Sequence, residues 1–280
     1  MDKETLKFIV LADLHIVPEG ELSNSLDTNA RLIQSIEFIN KNHDDADFVI
    51  FAGDLADNGE IESYHRLKKT CKLLKLRKYF TLGNHDIRQN FLKVFNQTIT
   101  MNNGNLDHSI DTKNHKVLII DSSHPPYKDP GLIEDSQLSW IKKELNEAND
   151  KPVIVVLHHN FVYSHVKAGN MILENNLEFS ELLMHSNCEI RQVISGHIHM
   201  TTSGYFKGLP FTTFSGSHYN IEPTLNYIDG RIKPPVPRRE GPGQIAVVIS
   251  DKESTVIHME NFIDRHLTMA QELFGKWTKH

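Results

Sequence analysis

Five short segments of this chain carry side chains that bind metal ions, and each one follows a run of apolar residues. The side chains supply carboxylate or amide oxygens and imidazole nitrogens, which are donors for divalent and trivalent metal ions. In chain order the segments are Asp13-Leu14-His15, Gly53-Asp54, Gly83-Asn84-His85-Asp86, His158-His159 and Gly196-His197-Ile198-His199. Any one of them alone is more often a structural feature, but all five together are typical of a hydrolase that uses two metal ions.

Two of the segments place a pair of donors two residues apart. Asp13 and His15 form one pair, and His197 and His199 form the other. If the strand conformation persists through a pair, its period of two residues points both side chains to the same side. Each pair is therefore expected to hold one side of a cation.

The remaining donors complete a mixed set. Asp54 follows a glycine that allows a sharp backbone bend, and its carboxylate can then bridge two cations. Asn84 offers a neutral carbonyl oxygen, and His158 adds an imidazole. A set that mixes nitrogen and oxygen donors fits iron, manganese, zinc or cobalt, and it fits magnesium or calcium poorly.

The apolar runs before the segments predict buried strands. They are Phe8–Ala12, Phe48–Ala52, Tyr79–Leu82, Val153–Leu157 and Val193–Ser195. The runs are continuous rather than alternating, as expected for strands that are covered on both faces. Ligand sites of open α/β sheets form beyond the carboxyl ends of the strands, so the sequence predicts that all five segments meet at one edge.

Helical spacing of apolar residues alternates with these strands. The predicted helices are Ser25–Asn42, Glu60–Leu76, residues 88–96, Asp135–Asn149 and Glu174–Ser186. In the middle of the chain, Leu106–Ile110 and Lys116–Ile120 form a hairpin-like pair. After the last of the five segments the chain becomes β-rich, at Ser203–Phe206, Pro210–Ser215, Ile245–Ile249 and Thr255–Met259. The pattern favours an α/β fold in which two mixed sheets pack together with helices outside.

The length is compatible with a single domain over residues 1–280. Residues 230–243 are rich in proline and predict a long surface loop, because proline cannot sit in a central strand. Strands and a helix are expected in residues 244–280, with the strands returning to the main sheet.

Composition limits the function classes. The net charge of -6 gives no overall basic surface, so extended nucleic acid is not an expected partner. Two isolated cysteines, Cys71 and Cys188, favour a reducing compartment. Neither a secretory signal nor a run of roughly 20 apolar residues is visible, so we expect a cytoplasmic protein without membrane contact.

The order of the five segments resembles the signature of the calcineurin-like metallophosphoesterases, from about Leu6 to Ser217. Pro130-Gly131-Leu132 and Gln137-Leu138-Ser139-Trp140-Ile141, followed by the strand before His158, are most similar to the class III cyclic nucleotide phosphodiesterases. This resemblance implies a four-layer αββα sandwich of two mixed β-sheets flanked by helices. It also implies two metal ions as cofactors, drawn from iron, manganese, zinc and cobalt.

The resemblance implies a role for each donor. The first ion would be held by Asp13, His15, Asp54 and His199, and the second by Asp54, Asn84, His158 and His197. His85 would contact the phosphate or protonate the leaving oxygen, and Asp86 would orient the His85 ring. Many relatives have His-His-Pro-Pro where this chain has His-His followed by Asn160-Phe161, which affects substrate recognition more than metal binding.

The expected substrate is a small phosphodiester, with a nucleotide such as 3′,5′-cyclic AMP favoured. Phosphomonoesterase, 2′,3′-cyclic nucleotide, glycerophosphodiester and nuclease activities remain alternatives on the same site. A protein phosphatase is disfavoured, because Asn58 stands where such enzymes carry an arginine after Gly-Asp-x-x-Asp. A non-catalytic scaffold is disfavoured because every ligand position is intact. The sequence gives no oligomeric state.

Overall fold

The computed structural model describes residues 4–95, 104–124, 130–164, 171–221 and 238–263. Its helices are α1 (Thr28–Asn42), α2 (Ile61–Thr70), α3 (Arg88–Phe95), α4 (Asp135–Asn146) and α5 (Asn176–Met184). Its strands are β1 (Leu6–Leu11), β2 (Phe48–Ala52), β3 (Lys78–Thr81), β4 (His108–Asp111), β5 (Lys116–Ile120), β6 (Val153–Leu157), β7 (Ile190–Ser195), β8 (Thr202–Phe206), β9 (Leu209–Thr213), β10 (Tyr219–Ile221), β11 (Arg238–Glu240), β12 (Gln244–Ser250) and β13 (Thr255–Asn261).

The first sheet has the strand order β13-β12-β1-β2-β3. Strands β1, β2 and β3 are parallel to one another, so their carboxyl ends lie at one edge of the sheet. Strand β12 pairs antiparallel with β1, and β13 pairs antiparallel with β12. The chain segment after the proline-rich stretch therefore returns to this sheet, as the sequence predicts.

The second sheet has the order β4-β5-β6-β7-β9-β8. Strands β5, β6, β7 and β9 are parallel, whereas β4 and β8 pair antiparallel at the two ends. The predicted hairpin in the middle of the chain is confirmed by the pairing of β4 with β5. The carboxyl ends of β6 and β7 thus lie side by side.

Both sheets are buried on both faces, which produces four layers. Alternate residues of β1 separate accordingly: Ile9 and Leu11 pack towards α1, α2 and α3, whereas Phe8 and Val10 pack towards the second sheet. Helices α4 and α5 cover the outer face of the second sheet. The αββα sandwich of two mixed sheets is confirmed.

Most predicted elements are found with ends shifted by a few residues, and one segment differs in kind. Part of the predicted surface loop at 230–243 is strand β11, which forms a two-stranded antiparallel ribbon with β10. Residues 238–240 contain no proline, so their backbone N–H groups are available for this pairing. The helix expected towards the C-terminus, as far as it concerns residues 264–280, lies outside the described residues.

Among the described residues, no helix combines the length and the apolar character that crossing a lipid bilayer requires.

Candidate dimetal centre

The two sheets meet at the carboxyl ends of their parallel strands. The backbone N–H of Asp13, after β1, donates to the carbonyl oxygen of Gly53, after β2 (3.1 Å). The backbone N–H of His197, after β7, donates to the Asp13 carboxylate (3.1 Å to Oδ1). His158 Nδ1, after β6, donates to the carbonyl oxygen of Ala52 (2.9 Å). These contacts join the predicted segments into one site that spans both sheets.

The backbone at the two pairs of donors, Asp13 with His15 and His197 with His199, is not extended as the sequence predicts. Left-handed φ angles occur at Asp13 (54°), His15 (47°), Asp54 (50°), His197 (71°) and His199 (49°). This region is sparsely populated by residues with a Cβ and is concentrated at functional sites, where the surroundings hold it in place. The prediction that period-two geometry aligns each pair is therefore wrong: tight turns, not continued strands, place these side chains.

Gly53 is required by a close approach as well as by its conformation. It has φ +84°, and a Cβ at this position would lie 2.6 Å from the His158 side chain. Any other residue would push β2 away from the imidazole that follows β6. The glycine thus allows the two sheets to come within ligand distance of each other.

The Asp54 carboxylate occupies the centre of the site. Its Oδ2 lies 3.6 Å from His15 Nε2 and 3.3 Å from His158 Nε2. Its Oδ1 accepts a hydrogen bond from the backbone N–H of His85 (2.9 Å). His158 Nε2 is also 3.2 Å from Asn84 Oδ1. The carboxylate is therefore flanked by donors from both predicted ligand sets.

The other donors gather on the two sides of Asp54. One ligand atom from each residue of a first group lies within 4.8 Å of the others: Asp13, His15, Asp54 and His199. The same criterion joins a second group: His158, His159 and His197. All of these side chains are buried. The structure thus brings together all seven predicted ligands and adds His159 to them.

Each predicted imidazole ligand is held through one ring nitrogen. His15 Nδ1 donates to the Asp57 carboxylate (2.9 Å), and His199 Nδ1 donates to the carbonyl oxygen of Tyr219 (2.9 Å). His158 is held by the Ala52 carbonyl in the same way, and His197 bonds to the backbone of Met171. Partners of this kind fix the tautomer of metal-ligating histidines, so that Nε2 is the nitrogen that can bind an ion.

The arrangement fits two metal ions. His15 Nε2 is buried and has no hydrogen-bond partner among the described residues, although it faces the Asp54 carboxylate. A buried polar nitrogen without a partner is costly, and a bound cation would satisfy it. The donors combine imidazole, carboxylate and amide groups, as the sequence predicts for iron, manganese, zinc or cobalt.

The charges at the site also favour cations. Burial raises the pKa of Asp13 to about 7, although the nearby His158 opposes this. Burial alone would also raise the pKa of Asp54, but the His158 and His85 imidazoles hold it well below its ordinary value. Burial lowers the pKa of His197 to about 3, so this ring is neutral and able to donate a lone pair. Burial acts to lower the pKa of His158, but the Asp54 carboxylate outweighs it and raises this pKa to about 9. A buried carboxylate that stays ionised is a suitable environment for positive ions.

His85 lies on the open side of the site. Unlike the buried ligands, its side chain is exposed. Its Nδ1 donates to the carbonyl oxygen of Asp57 (2.6 Å), and its ring meets the His15 ring edge-on at 4.6 Å between centroids. Desolvation acts to lower the pKa of His85, but the Asp54 carboxylate and the Asp57 carbonyl outweigh it and raise this pKa.

Asp86 does not orient His85, contrary to expectation. Its buried carboxylate accepts hydrogen bonds from the backbone of Leu55, Ala56 and Gly83 and from the Tyr64 hydroxyl. These contacts use both of its oxygens to hold the turns after β2 and β3 together. The group that orients the His85 ring is the carbonyl oxygen of Asp57. Because it belongs to the backbone, a sequence motif cannot predict it.

Three further residues contact the predicted ligands, although the sequence assigned none of them a part in positioning those ligands. Asp57 contacts His15 through its carboxylate and His85 through its carbonyl oxygen. The Tyr219 ring stacks on His199 at 4.1 Å between centroids, with an interplanar angle of 1°. His218 is buried beside His15 at 4.6 Å between ring centroids. Only Asp57 carries a sequence signal, because it stands three residues after Asp54 in the same segment.

Aromatic side chains near the site mostly serve packing. Phe161 is 1% exposed and makes edge contacts with the rings of Phe179, Phe206 and Phe211. It stands where many relatives have proline, so core packing rather than a rigid proline pair fixes the start of this loop. Tyr219 is also buried, whereas Tyr163 is 45% exposed. Tyr127 lies outside the described residues.

The sequence model of the calcineurin-like phosphoesterase family matches residues 6–201, which include every predicted ligand. The chain belongs to this family. The match ends just after the last of the five segments, so β8 to β13 lie beyond it. The part of the chain that matches the family therefore contains all the residues that cluster at the candidate site.

Two bacterial proteins show how the similarity extends along the chain. A probable cyclic nucleotide phosphodiesterase of Rhodococcus erythropolis is 27% identical over 270 residues, covering 93% of this chain and 85% of the relative. A probable glycerophosphodiester phosphodiesterase of Arcobacter nitrofigilis is 33% identical over 218 residues, covering 75% of this chain and 78% of the relative. Both relatives are named as phosphodiesterases, with different substrates.

Solved structures agree with the fold. The crystal structure of a dimetal phosphatase from Danio rerio superimposes with a TM-score of 0.62, covering 90% of this chain and 98% of that protein. The sequence identity is 11%, so this likeness concerns architecture alone. It supports the four-layer arrangement described above.

Proposed function

We propose that the chain is a metal-dependent phosphodiesterase that hydrolyses a small phosphodiester, with a cyclic nucleotide such as 3′,5′-cyclic AMP as the favoured substrate. The observation that carries the proposal is the position of Asp54 Oδ2 between His15 Nε2 and His158 Nε2. A carboxylate in this position can join two ion sites into one centre. Two bound ions would supply a lowered water pKa and charge stabilisation on the phosphate.

The residues of the chain divide the remaining tasks. Asp54 provides the shared negative charge, and Asn84 adds a neutral oxygen, so the site does not become excessively anionic. Asp57, Tyr219 and the Ala52 carbonyl keep the imidazoles in place before substrate binds. Such preorganisation reduces the reorganisation that the reaction needs.

His85 is proposed as the proton donor. Its Nδ1 is occupied by the Asp57 carbonyl, which leaves Nε2 on the exposed side of the ring. As the bond from phosphorus to the leaving oxygen breaks, the Nε2 proton passes to that oxygen, so the product leaves as a neutral alcohol. A positioned general acid of this kind typically contributes about 10²–10⁴ in rate.

The preference for a cyclic nucleotide rests on relatives, not on the geometry. The Rhodococcus protein covers most of the chain and is named for cyclic nucleotides, and the class III signature includes Gly131 and Gln137. A glycerophosphodiester is the second candidate, because the Arcobacter relative is 33% identical. The placement of the protein in the cytoplasm is likewise a proposal.

An assay with paired synthetic esters tests the reaction class. The purified full chain with added manganese is expected to cleave bis(p-nitrophenyl) phosphate faster than p-nitrophenyl phosphate. Preference for the monoester would overturn the diesterase proposal. If a metal-loaded protein cleaves neither ester, the proposal that the chain hydrolyses phosphate esters is refuted.

Natural substrates then decide the specificity. 3′,5′-Cyclic AMP, 2′,3′-cyclic AMP and glycerophosphocholine are compared at equal concentration by kcat/KM. The highest value is expected for 3′,5′-cyclic AMP. A higher value for the glycerol ester would replace the cyclic nucleotide by the second candidate while leaving the diesterase proposal intact.

A further inference from the structure

His159 is a fully buried histidine whose ring is fixed on one side. Its Nδ1 lies 2.8 Å from Ser122 Oγ, and its backbone N–H donates to the same hydroxyl (3.2 Å). Gly131 packs directly against the ring, because a Cβ on this glycine would lie 2.4 Å from His159 Nδ1. Gln137 Nε2 donates to the Asp121 carbonyl oxygen (2.7 Å) and so holds the segment that carries Ser122.

The other ring nitrogen of His159 points into the metal site. Nε2 is buried and has no hydrogen-bond partner among the residues that the structure describes. The ring centroid lies 4.9 Å from that of His158 and 4.6 Å from that of His197. Ligand nitrogens of these three residues lie within 4.8 Å of one another. The nitrogen therefore faces the same space as two predicted ligands of the second ion.

His159 shares its arrangement with the predicted imidazole ligands. In His15, His158 and His199, as in His159, Nδ1 has a fixed polar partner and Nε2 is directed at the cluster. A histidine that only filled space would bury an imidazole nitrogen with nothing to satisfy it, which destabilises the fold. An ion on the Nε2 side removes this penalty.

We propose that His159 is a third imidazole donor to the second metal ion, an inference that rests on the metal centre of the proposed function. In this state Nδ1–H donates to Ser122 Oγ and the Nε2 lone pair faces the ion. The second site then has three imidazoles together with Asp54 and Asn84, whereas the first has only two imidazoles. More nitrogen donors favour later first-row metals such as cobalt and zinc over manganese.

The test uses the full chain, stripped of metal and titrated with cobalt, whose absorption reports its ligands. The variant His159→Asn keeps a polar atom near the Nδ1 position but has nothing at the Nε2 position. One of the two cobalt binding steps is expected to weaken at least about tenfold, with a changed spectrum for that step only. Anomalous scattering from cobalt-soaked crystals is expected to show reduced occupancy beside His158 and unchanged occupancy beside His15.

Two further variants keep the outcome interpretable. His115→Asn makes the same substitution at a buried histidine just before β5, at the strand end away from the site, and is expected to bind cobalt like the wild type. His159→Gln offers an amide oxygen near the Nε2 position and is expected to recover part of the affinity.

Three results would contradict the role of His159. In the first, both cobalt binding steps of His159→Asn keep the affinity of the wild type. In the second, both steps weaken equally. In the third, the rate of ester cleavage changes while cobalt binding does not. A wild-type protein that binds no pair of ions would instead refute the proposed metal centre itself. The two failures are therefore distinguishable.

Discussion

At the scale of single residues, Asp54 connects the two halves of the site. Its Oδ2 is flanked by His15 from one predicted ligand set and by His158 from the other. Its position depends on a left-handed backbone after Gly53, which no pattern of residue types reveals. The candidate ligands were thus recognisable in the sequence, because aspartate, asparagine and histidine follow its predicted strands. The turns that orient them were not.

Removal of the shared carboxylate is expected to affect both ions. In Asp54→Ala, metal analysis should find neither ion retained, and activity should fall at least about tenfold, because each ion loses a charged ligand. Asp44→Ala removes an exposed carboxylate near the end of α1 and should change neither quantity. Activity above a tenth of wild type, or one fully retained ion, would contradict the shared role of Asp54.

The role of His85 predicts a dependence on the leaving group. His85→Ala should retain both ions, because the side chain is not a predicted ligand. Its kcat should fall by about 10²–10⁴ for alkyl diesters and much less for nitrophenyl diesters, whose leaving groups need no proton. His65→Ala, an exposed histidine on α2, serves as the control. Equal losses for both kinds of ester would show that His85 is not the proton donor.

At the scale of elements, the strand ends determine the site and the connections between them decide the details. The strands before the five segments were predictable because their apolar runs are continuous. The partners of Asp86 and the ribbon of β10 and β11 were not, because they depend on distant segments that fold back. Backbone carbonyls, such as that of Asp57, carry no sequence signature at all.

A buried carboxylate between β4, β5 and α4 predicts a pH effect on stability. Asp107 accepts hydrogen bonds from Gln137 Nε2 and from the Asp121 backbone, and burial raises its pKa to about 7. The ordinary value is about 3.9, so this group favours the folded state below pH 4 and loses that contribution as the pH rises through 7. Relative to the wild type, Asp107→Asn should therefore have a higher free energy of unfolding at pH 8 than at pH 5, because the wild type loses stability between these pH values and the amide does not titrate.

Urea denaturation of the metal-free protein at the two pH values measures this difference. Asp150→Asn changes an exposed carboxylate after α4 and should leave the stability difference between the two pH values unchanged. The same offset of Asp107→Asn from the wild type at both pH values would contradict the prediction.

At the scale of the whole molecule, three large apolar clusters pack the four layers together. One lies between the sheets, and the other two lie under the helices on each side. The sequence predicted this layering from the alternation of helices and strands. Substrate choice depends on the conformation of loops, which no pattern of residue types encodes.

Metal removal is expected to lower the thermal midpoint without unfolding the chain. We expect manganese to bind only the folded chain, and it should then raise the midpoint by several degrees, roughly 2–4 °C per kcal/mol of binding free energy. Circular dichroism of the chelated protein should still show the helices and strands. Magnesium, which fits these donors poorly, should give a smaller shift. Equal shifts for both ions, or loss of structure on chelation, would contradict this account.

The central claim is that Asp54 joins two ion sites. The most direct measurement is an anomalous difference map from crystals of the full chain grown with excess manganese. We predict two peaks, one on each side of the Asp54 carboxylate and about 3.5–4 Å apart, the first beside His15 and His199 and the second beside His158 and His197. A single peak, or peaks that do not contact Asp54, would contradict the claim.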